Sequence, residues 1–301
     1  MQQVLIIGLG LIGGSIGLAL KRANQENPTQ GYTITGYDRQ RERLRQAEQM
    51  GAIDRASDTL ASVVKDAQIL IIATPILAMR AVFAEIAPLL ANGTIVTDTA
   101  STKADVLRWA EALLPPDTTF IGGHPMAGDT GSLEVARPDL FQGAAYCLIP
   151  GPRTDPQVLE TLASLISALG ALPLTLDAST HDHAVAAICH LPFFAASALV
   201  ETVSGEADTD LLRQLASSGF RDTTRLAAGD PIMYHDISLT NRAAILRWLD
   251  AYIAHLQAAR SLLESAAVND AQIRDQRILR FFEQARQQRK NTLQLKTPEN
   301  P

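Results

Sequence analysis

The chain has 301 residues, 47% hydrophobic and 19% charged, with 26 lysines and arginines against 32 acidic residues and a formal net charge of −6. That length accommodates two domains with a substantial core, and the composition excludes a disordered chain. No basic block stands out, so a nucleic-acid partner, which needs clustered Lys and Arg, is disfavoured.

The N-terminal MQQVLIIGLG enters a strand pattern at once, without a charged leader or small-residue cleavage site, which points to a cytoplasmic protein. VLIIG (4–8) reads as a buried strand, followed by a helix pattern over 11–23 and a polar loop, NQENPTQG. YTITGYD (32–38) reads as strand, and RQRERLRQAEQMG as an exposed helix stopped at Gly51. QILIIATP (68–75), TIVTDTA (94–100), TFIGG (119–123) and AAYCLIP (144–150) are further strands, separated mostly by helix-length segments. DPQVLETLASLISALGA then reads as a helix closed near Gly170, and LPLTL as a last strand. Apolar strands alternating with helices predict an α/β Rossmann-type, doubly wound parallel sheet over 1–176. Past that point strand signals stop, and helical periodicity predicts an all-helical domain over 177–290 and a loose tail over 291–301. AVAAICHLPFFAASALV (184–200) carries no Asp, Glu, Lys or Arg. It is short for a membrane span and interrupted by His190 and Pro192, so a helical core or a subunit interface explains it better. Its uncharged length predicts a homodimer, and no membrane partner is expected.

GLGLIG matches GxGxxG at Gly8, Gly10 and Gly13, directly after a strand and opening a helix, which is the context the motif requires. Gly8 permits the turn, Gly10 lets backbone approach a pyrophosphate, and Gly13 lets helix and strand pack. The first helical amides, beginning with Leu11 and Ile12, bind the anion. Asp38 ends the second strand, where a carboxylate accepts hydrogen bonds from a ribose and favours NAD; the adjacent Arg39 leaves NADP open. Ligands in such a sheet lie at the carboxyl ends of strands, so the loops holding Thr74 and Pro75, Ser101, and His124 should converge. Ser101 and His124 then suit alcohol oxidation: the imidazole accepts the hydroxyl proton, and the serine orients either the imidazole or the substrate oxygen. Lys103 reads as a helix-capping residue. Cys147 and Cys189, without a CxxC, read as small buried hydrophobes. No metal site is expected. His181 and His183 are two apart and do not share a helix face, while His183 and His190 lack a third ligand.

GxGxxG, DTASTK, GGHPMAG and GFRDTTRLAAGDPIMYHDISLTN, in this order over residues 3 to about 245, resemble the prephenate/arogenate dehydrogenase family of tyrosine biosynthesis. The resemblance implies a Rossmann domain followed by a helical dimerisation domain. It also implies NAD(P)-dependent oxidative decarboxylation of prephenate to 4-hydroxyphenylpyruvate, or of arogenate to tyrosine. By it, His124 matches the catalytic base, Ser101 its supporting serine, and Arg225 the arginine that binds the ring carboxylate. Asp222 matches a helper acid, and His190 a histidine on the first helix of the second domain. The chain departs from the family where many relatives read HLPH, having Phe193, and at the family's MW, having Met233 and Tyr234. Thr130 stands where some members carry an acid near the substrate side chain, with Asp129 one place earlier. A regulatory ACT domain, present in some relatives, is not expected here. Two other classes share the broad pattern: another Rossmann-plus-helical dehydrogenase of 3-hydroxyacid or imine-reductase type, and a non-enzymatic dinucleotide sensor.

Overall fold

The computed structural model describes residues 1–28, 31–129, 131–205, 209–264 and 271–294. Its strands are β1 (Gln2–Ile7), β2 (Tyr32–Tyr37), β3 (Arg55–Ser57), β4 (Ile69–Ile72), β5 (Ile95–Asp98), β6 (Thr119–Pro125), β7 (Ala145–Pro150) and β8 (Leu172–Thr175). They form one sheet in the order β3-β2-β1-β4-β5-β6-β7-β8. β3 through β6 run parallel, β7 is antiparallel to β6, and β8 is parallel to β7. The central strands β1 and β4 are largely buried on both faces, which is why VLII and ILII read as unbroken apolar runs. β3 escapes a pattern-based reading because it has three residues, Arg-Ala-Ser, at the sheet edge.

Five helices belong to the sheet: α1 (Leu11–Glu26), α2 (Arg41–Gln49), α3 (Ile76–Ile86), α4 (Ala104–Leu113) and α5 (Pro156–Ala168). Side chains such as Ile6, Ile16, Leu20, Ile34, Ile71 and Phe141 are wholly buried between them and the sheet. The chain leaves β1 to one side, toward β2 and β3, and returns to the other at β4. The crevice at this reversal lies outside the carboxyl ends of β1 and β4, which places residues 8–13 and 73–75 at a ligand position.

Beyond β8 come α6 (Ala178–Val185), a π turn (Ala186–His190), α7 (Leu191–Ser204), α8 (Thr209–Leu215), α9 (Ser218–Thr224), α10 (Pro231–Thr240), α11 (Arg242–Glu264) and α12 (Ala271–Gln294). By compactness the chain divides into Met1–Ile245 and Leu246–Pro301. The boundary expected at 176/177 falls inside the first unit, because α6 and α10 are tied to the sheet half by buried hydrogen bonds. The second unit contains most of α11 together with α12, and Ile253, Leu256, Leu263, Leu279 and Phe282 stand exposed on these helices. α12 runs to Gln294, so the tail expected from 291 begins as helix; residues 295–301 lie outside the described residues.

The run Ala178–Ser204 is long and apolar enough to cross a membrane by length and composition. One of its faces is buried within the chain, through Val185, Ala186, His190, Phe193 and Ala196, while Ile188 is 61% exposed. Pro192 cannot donate to the carbonyl one turn back, and the helix accommodates this with the π turn just before it.

Candidate active site

The glycine loop has the geometry its spacing predicts. Gly8 has φ +96°, and a side chain there would meet the Ala73 carbonyl oxygen at 2.5 Å and the Thr74 methyl at 3.1 Å. The loop therefore lies directly on the strand end that carries Thr74 and Pro75. A Cβ on Gly13 would stand 2.0 Å from the Gly8 carbonyl oxygen, so helix and loop pack too closely for any other residue. A Cβ on Gly10 would meet nothing within 4 Å. That open side, beside an α1 N-terminus with no side-chain cap, fits the pyrophosphate of a dinucleotide. Asp38 is more committed than expected. Its Oδ2 accepts the Leu9 N–H at 2.8 Å and its Oδ1 the Gln40 N–H at 2.8 Å, so the carboxylate holds the loop in place. Each oxygen keeps a second lone pair for a ribose hydroxyl. Arg39 is exposed beside it.

His124 is part of β6 and not of a loop, opposite Cys147 of β7, and 8% exposed. Gly122 and Gly123 are needed for close packing. A Cβ on Gly123 would fall 2.3 Å from the Asp98 carbonyl oxygen, and one on Gly122 would press on the Lys103 side chain at 3.2 Å. These glycines let β6 close onto the end of β5 and onto Lys103. The Lys103 side chain is fully buried and turned away from the helix it was expected to cap. Its Nζ donates to Asp98 and to the Gly123 carbonyl, while Asp98 Oδ1 accepts the Gly123 N–H at 3.0 Å. A buried ion pair thus holds both backbone groups of the residue preceding His124.

The imidazole has a partner that sequence reasoning set aside. His124 Nδ1 lies 2.9 Å from Nε2 of His181, and His181 Nδ1 lies 2.8 Å from Oδ1 of Asp182. Asp182 also accepts the N–H groups of Lys103 and Ala104, at 2.8 and 2.9 Å, capping α4 from the helical segment. No hydrogen bond joins Ser101 to His124 among the described residues; His124 Nδ1 is held by His181 instead. Ser101 is half-buried in the same loop, which leaves its hydroxyl for a ligand. Thr102 of that loop meets Thr240 of α10 at 2.8 Å, and Asp236 of α10 accepts the Leu77 N–H of α3 at 3.1 Å. Burial pushes His124 well below the ordinary histidine value of 6.5, with His181, Lys103 and His190 as like charges adding to the effect. The imidazole is neutral near pH 7, as a proton acceptor must be.

His190 joins the same cluster. Asn241 Nδ2 donates to the Asp182 carbonyl at 2.8 Å and lies 3.2 Å from His190 Nδ1. Nδ1 is therefore the acceptor, and Nε2 of the neutral ring carries the proton. That Nε2 is buried with no partner, and burial lowers His190 to about 4. A buried donor without an acceptor marks a place for a ligand oxygen. Nine residues of ideal α-helix would set His190 roughly half a turn from His181. The residue absorbed by the π turn brings it back toward that face, and both are 1% exposed. His183, which shared a face with His190 on plain helical spacing, is only half-buried.

The remaining expected residues are less gathered. Arg225 is exposed at the end of α9 and makes no ion pair among the described residues; its charge bears on the Tyr234 hydroxyl. Tyr234 stacks on Phe193 at 4.0 Å, and Phe193 lies 6.0 Å from His190, so this row leads from Arg225 back to the buried histidine. Asp222 is exposed and not bonded to Arg225. Thr130 lies outside the described residues. No group of three metal-ligating side chains occurs among the described residues.

Residues 16–173 match the family model described as the prephenate dehydrogenase nucleotide-binding domain, and residues 177–281 match that of the prephenate dehydrogenase dimerization domain. The chain belongs to the prephenate dehydrogenase family. It is 36% identical to a prephenate dehydrogenase of Bacillus subtilis, over 96% of this chain and 75% of that one. Among solved structures, an arogenate dehydrogenase of Synechocystis superposes with TM-score 0.79 at 32% identity, covering 97% of this chain and 100% of that one. A prephenate dehydrogenase of Aquifex aeolicus, in complex with hydroxyphenyl propionate and NAD+, superposes with TM-score 0.86 at 26% identity, covering 97% and 98%. The first family match begins after the glycine loop, so that loop stands on its own geometry.

The Lys103–Asp98 pair is testable apart from catalysis. Lys103→Met leaves Asp98 buried without its cation and should lower the unfolding free energy by about 3–5 kcal/mol in urea titrations. A loss below about 0.5 kcal/mol would show that the pair does not hold the β5 and β6 ends together.

Proposed function

We propose that this chain oxidatively decarboxylates prephenate, or its amino-acid counterpart arogenate, with NAD as oxidant, His124 being the base. The observation that carries this reading is the environment of His124. The imidazole is neutral, its Nδ1 is engaged by His181, and its Nε2 has no partner among the described residues.

The glycine loop, the amides of Leu11, Ile12 and Gly13, Asp38, Thr74 and Pro75 would hold the dinucleotide, with Gly10 leaving the approach open. When bound, the nicotinamide supplies the hydride acceptor. The chain's own tasks are then three. His124 Nε2 takes the proton of the ring hydroxyl as a carbonyl forms there. His190 Nε2–H and the Ser101 hydroxyl donate to substrate oxygens. Arg225 binds the ring carboxylate through its planar guanidinium, with Asp222 beside it. The carbonyl is conjugated through the ring to the carbon bearing that carboxylate, so carbon dioxide leaves as the ring becomes aromatic. Aromatisation drives this step without a separate acid, and alignment and proton removal suffice. Such a reaction suits the cytoplasm.

The family's second domain is described as a dimerization domain, and Ile188, Leu211, Leu215, Ile253, Leu256 and Phe282 expose apolar surface on the helical part of this chain. We read it as a homodimer formed by these helices. Sedimentation at micromolar concentration should give a particle of twice 32.4 kDa; a 32.4 kDa particle would contradict the dimer. For the base, His124→Asn retains a hydrogen-bonding group but cannot take a proton. It should lower kcat by about 10²- to 10⁴-fold with substrate KM much less affected. A folded His124→Asn protein that keeps more than about half of the kcat would overturn the mechanism.

A further inference from the structure

We propose that Asp182 and His181 are positioning residues that set the tautomer of His124, so that its unprotonated Nε2, and not its Nδ1, is presented to the substrate hydroxyl. The inference rests on the function proposed above, and its geometry can be read without it.

The argument begins at Asp182. Its two oxygens face the first amides of α4, Oδ1 accepting from Lys103 and Oδ2 from Ala104. Both oxygens thus accept N–H groups at a helix N-terminus, as a carboxylate does, and a carboxylate can only accept. His181 Nδ1, 2.8 Å from Oδ1, must therefore carry a proton. In neutral His181 the other nitrogen, Nε2, then bears a lone pair, and it lies 2.9 Å from His124 Nδ1. His124 must in turn carry its proton on Nδ1, and its lone pair falls on Nε2. Each proton position follows from the one before, starting from the carboxylate.

The same order serves the charged state. When Nε2 takes the substrate proton, the O–H bond breaks, an N–H bond forms, and the electron pair stays on the substrate oxygen. The imidazolium then donates from Nδ1 to His181, whose own Nδ1–H points at the Asp182 carboxylate. The rings meet edge to face, 5.1 Å between centroids at 74°, and both histidines are almost wholly buried, so water does not compete for these bonds. An aspartate plays this part for the histidine of a serine-protease triad; here a second imidazole is interposed.

His181 is the residue to change, because Asp182 also caps α4. In His181→Gln the amide oxygen can still accept from His124 Nδ1; in His181→Leu nothing can. With the full-length protein at pH 7.5, nitrogen-15 histidine spectra should show His124 protonated at Nδ1 in the unmodified chain and in His181→Gln, and protonated mainly at Nε2 in His181→Leu. With NAD and prephenate or arogenate, whichever turns over faster, His181→Leu should lose about 10²-fold or more in kcat at near-normal KM, and His181→Gln less than tenfold. Unmodified protein with His124 protonated at Nε2 would overturn the proposal, and so would a folded His181→Leu protein retaining more than half of kcat. If His181→Leu does not fold, the tautomer of the unmodified chain decides. The spectrum needs no substrate, so a chain inactive on both substrates would overturn the proposed function while the spectrum still decides the relay.

Discussion

Lys103 is the residue on which the site's geometry depends. Its ammonium, with no access to water, is held by Asp98 and the Gly123 carbonyl, and its backbone N–H is held by Asp182. A charge in such a place is tolerable only when paired and fully bonded, so the surroundings cannot relax without a large cost. That cost is what makes the constraint useful. The end of β5, the end of β6 and the start of α4 share one set of hydrogen bonds, and His124 is the next residue along. The two glycines before it follow from the same requirement, since a methyl group on Gly123 would strike β5 backbone.

The helical segment completes the site by reaching across to the sheet. Local caps occur where an aspartate immediately precedes its helix: Asp155 on α5, Asp177 on α6 and Asp230 on α10. The helices that follow β4 and β5, α3 and α4, have no such cap. Their amides are bonded instead by Asp236 of α10 and Asp182 of α6. The starts of α3 and α4 therefore take their caps from the helical segment packed against them. His181 and His190 arrive on the same helical run, one at His124 and the other with a donor awaiting a ligand.

Much of this was legible in the residues. The central strands β1 and β4 announced themselves because burial on both faces makes them uniformly apolar, and Gly8, Gly10 and Gly13 are read from the spacing of their motif. What escaped has a physical reason in each case. The π turn shifts the helical register by one residue, so regular spacing pairs His190 with His183; His181 is weighed there only as a metal ligand, and its partner His124 stands 57 positions away, out of reach of local spacing. The cap on α4 comes from 78 or 79 positions away, beyond any local pattern. Lys103 reads as a helix cap because charged side chains are rarely sealed inside; its partner, Asp98, is five residues back in TIVTDTA, a segment that reads only as a strand. Ser101 was matched to His124 by topology, which brings loops together without saying which side chain takes which nitrogen.

The account's central claim is that His124 is held neutral in a buried cluster and acts from that state. Burial, then His181, Lys103 and His190, depress its protonation, while Asp182 and Asp98 anchor the neighbouring donors. The base works unprotonated, so activity is complete above its pKa and lost as pH falls through it. The pH dependence of kcat/KM for the preferred substrate, prephenate or arogenate, at saturating NAD tests this directly, since it reports ionisations of the enzyme before substrate binds. The account predicts a single acid-side limb assigned to His124, lying below the ordinary histidine value of 6.5. A limb centred above 6.5 would contradict it.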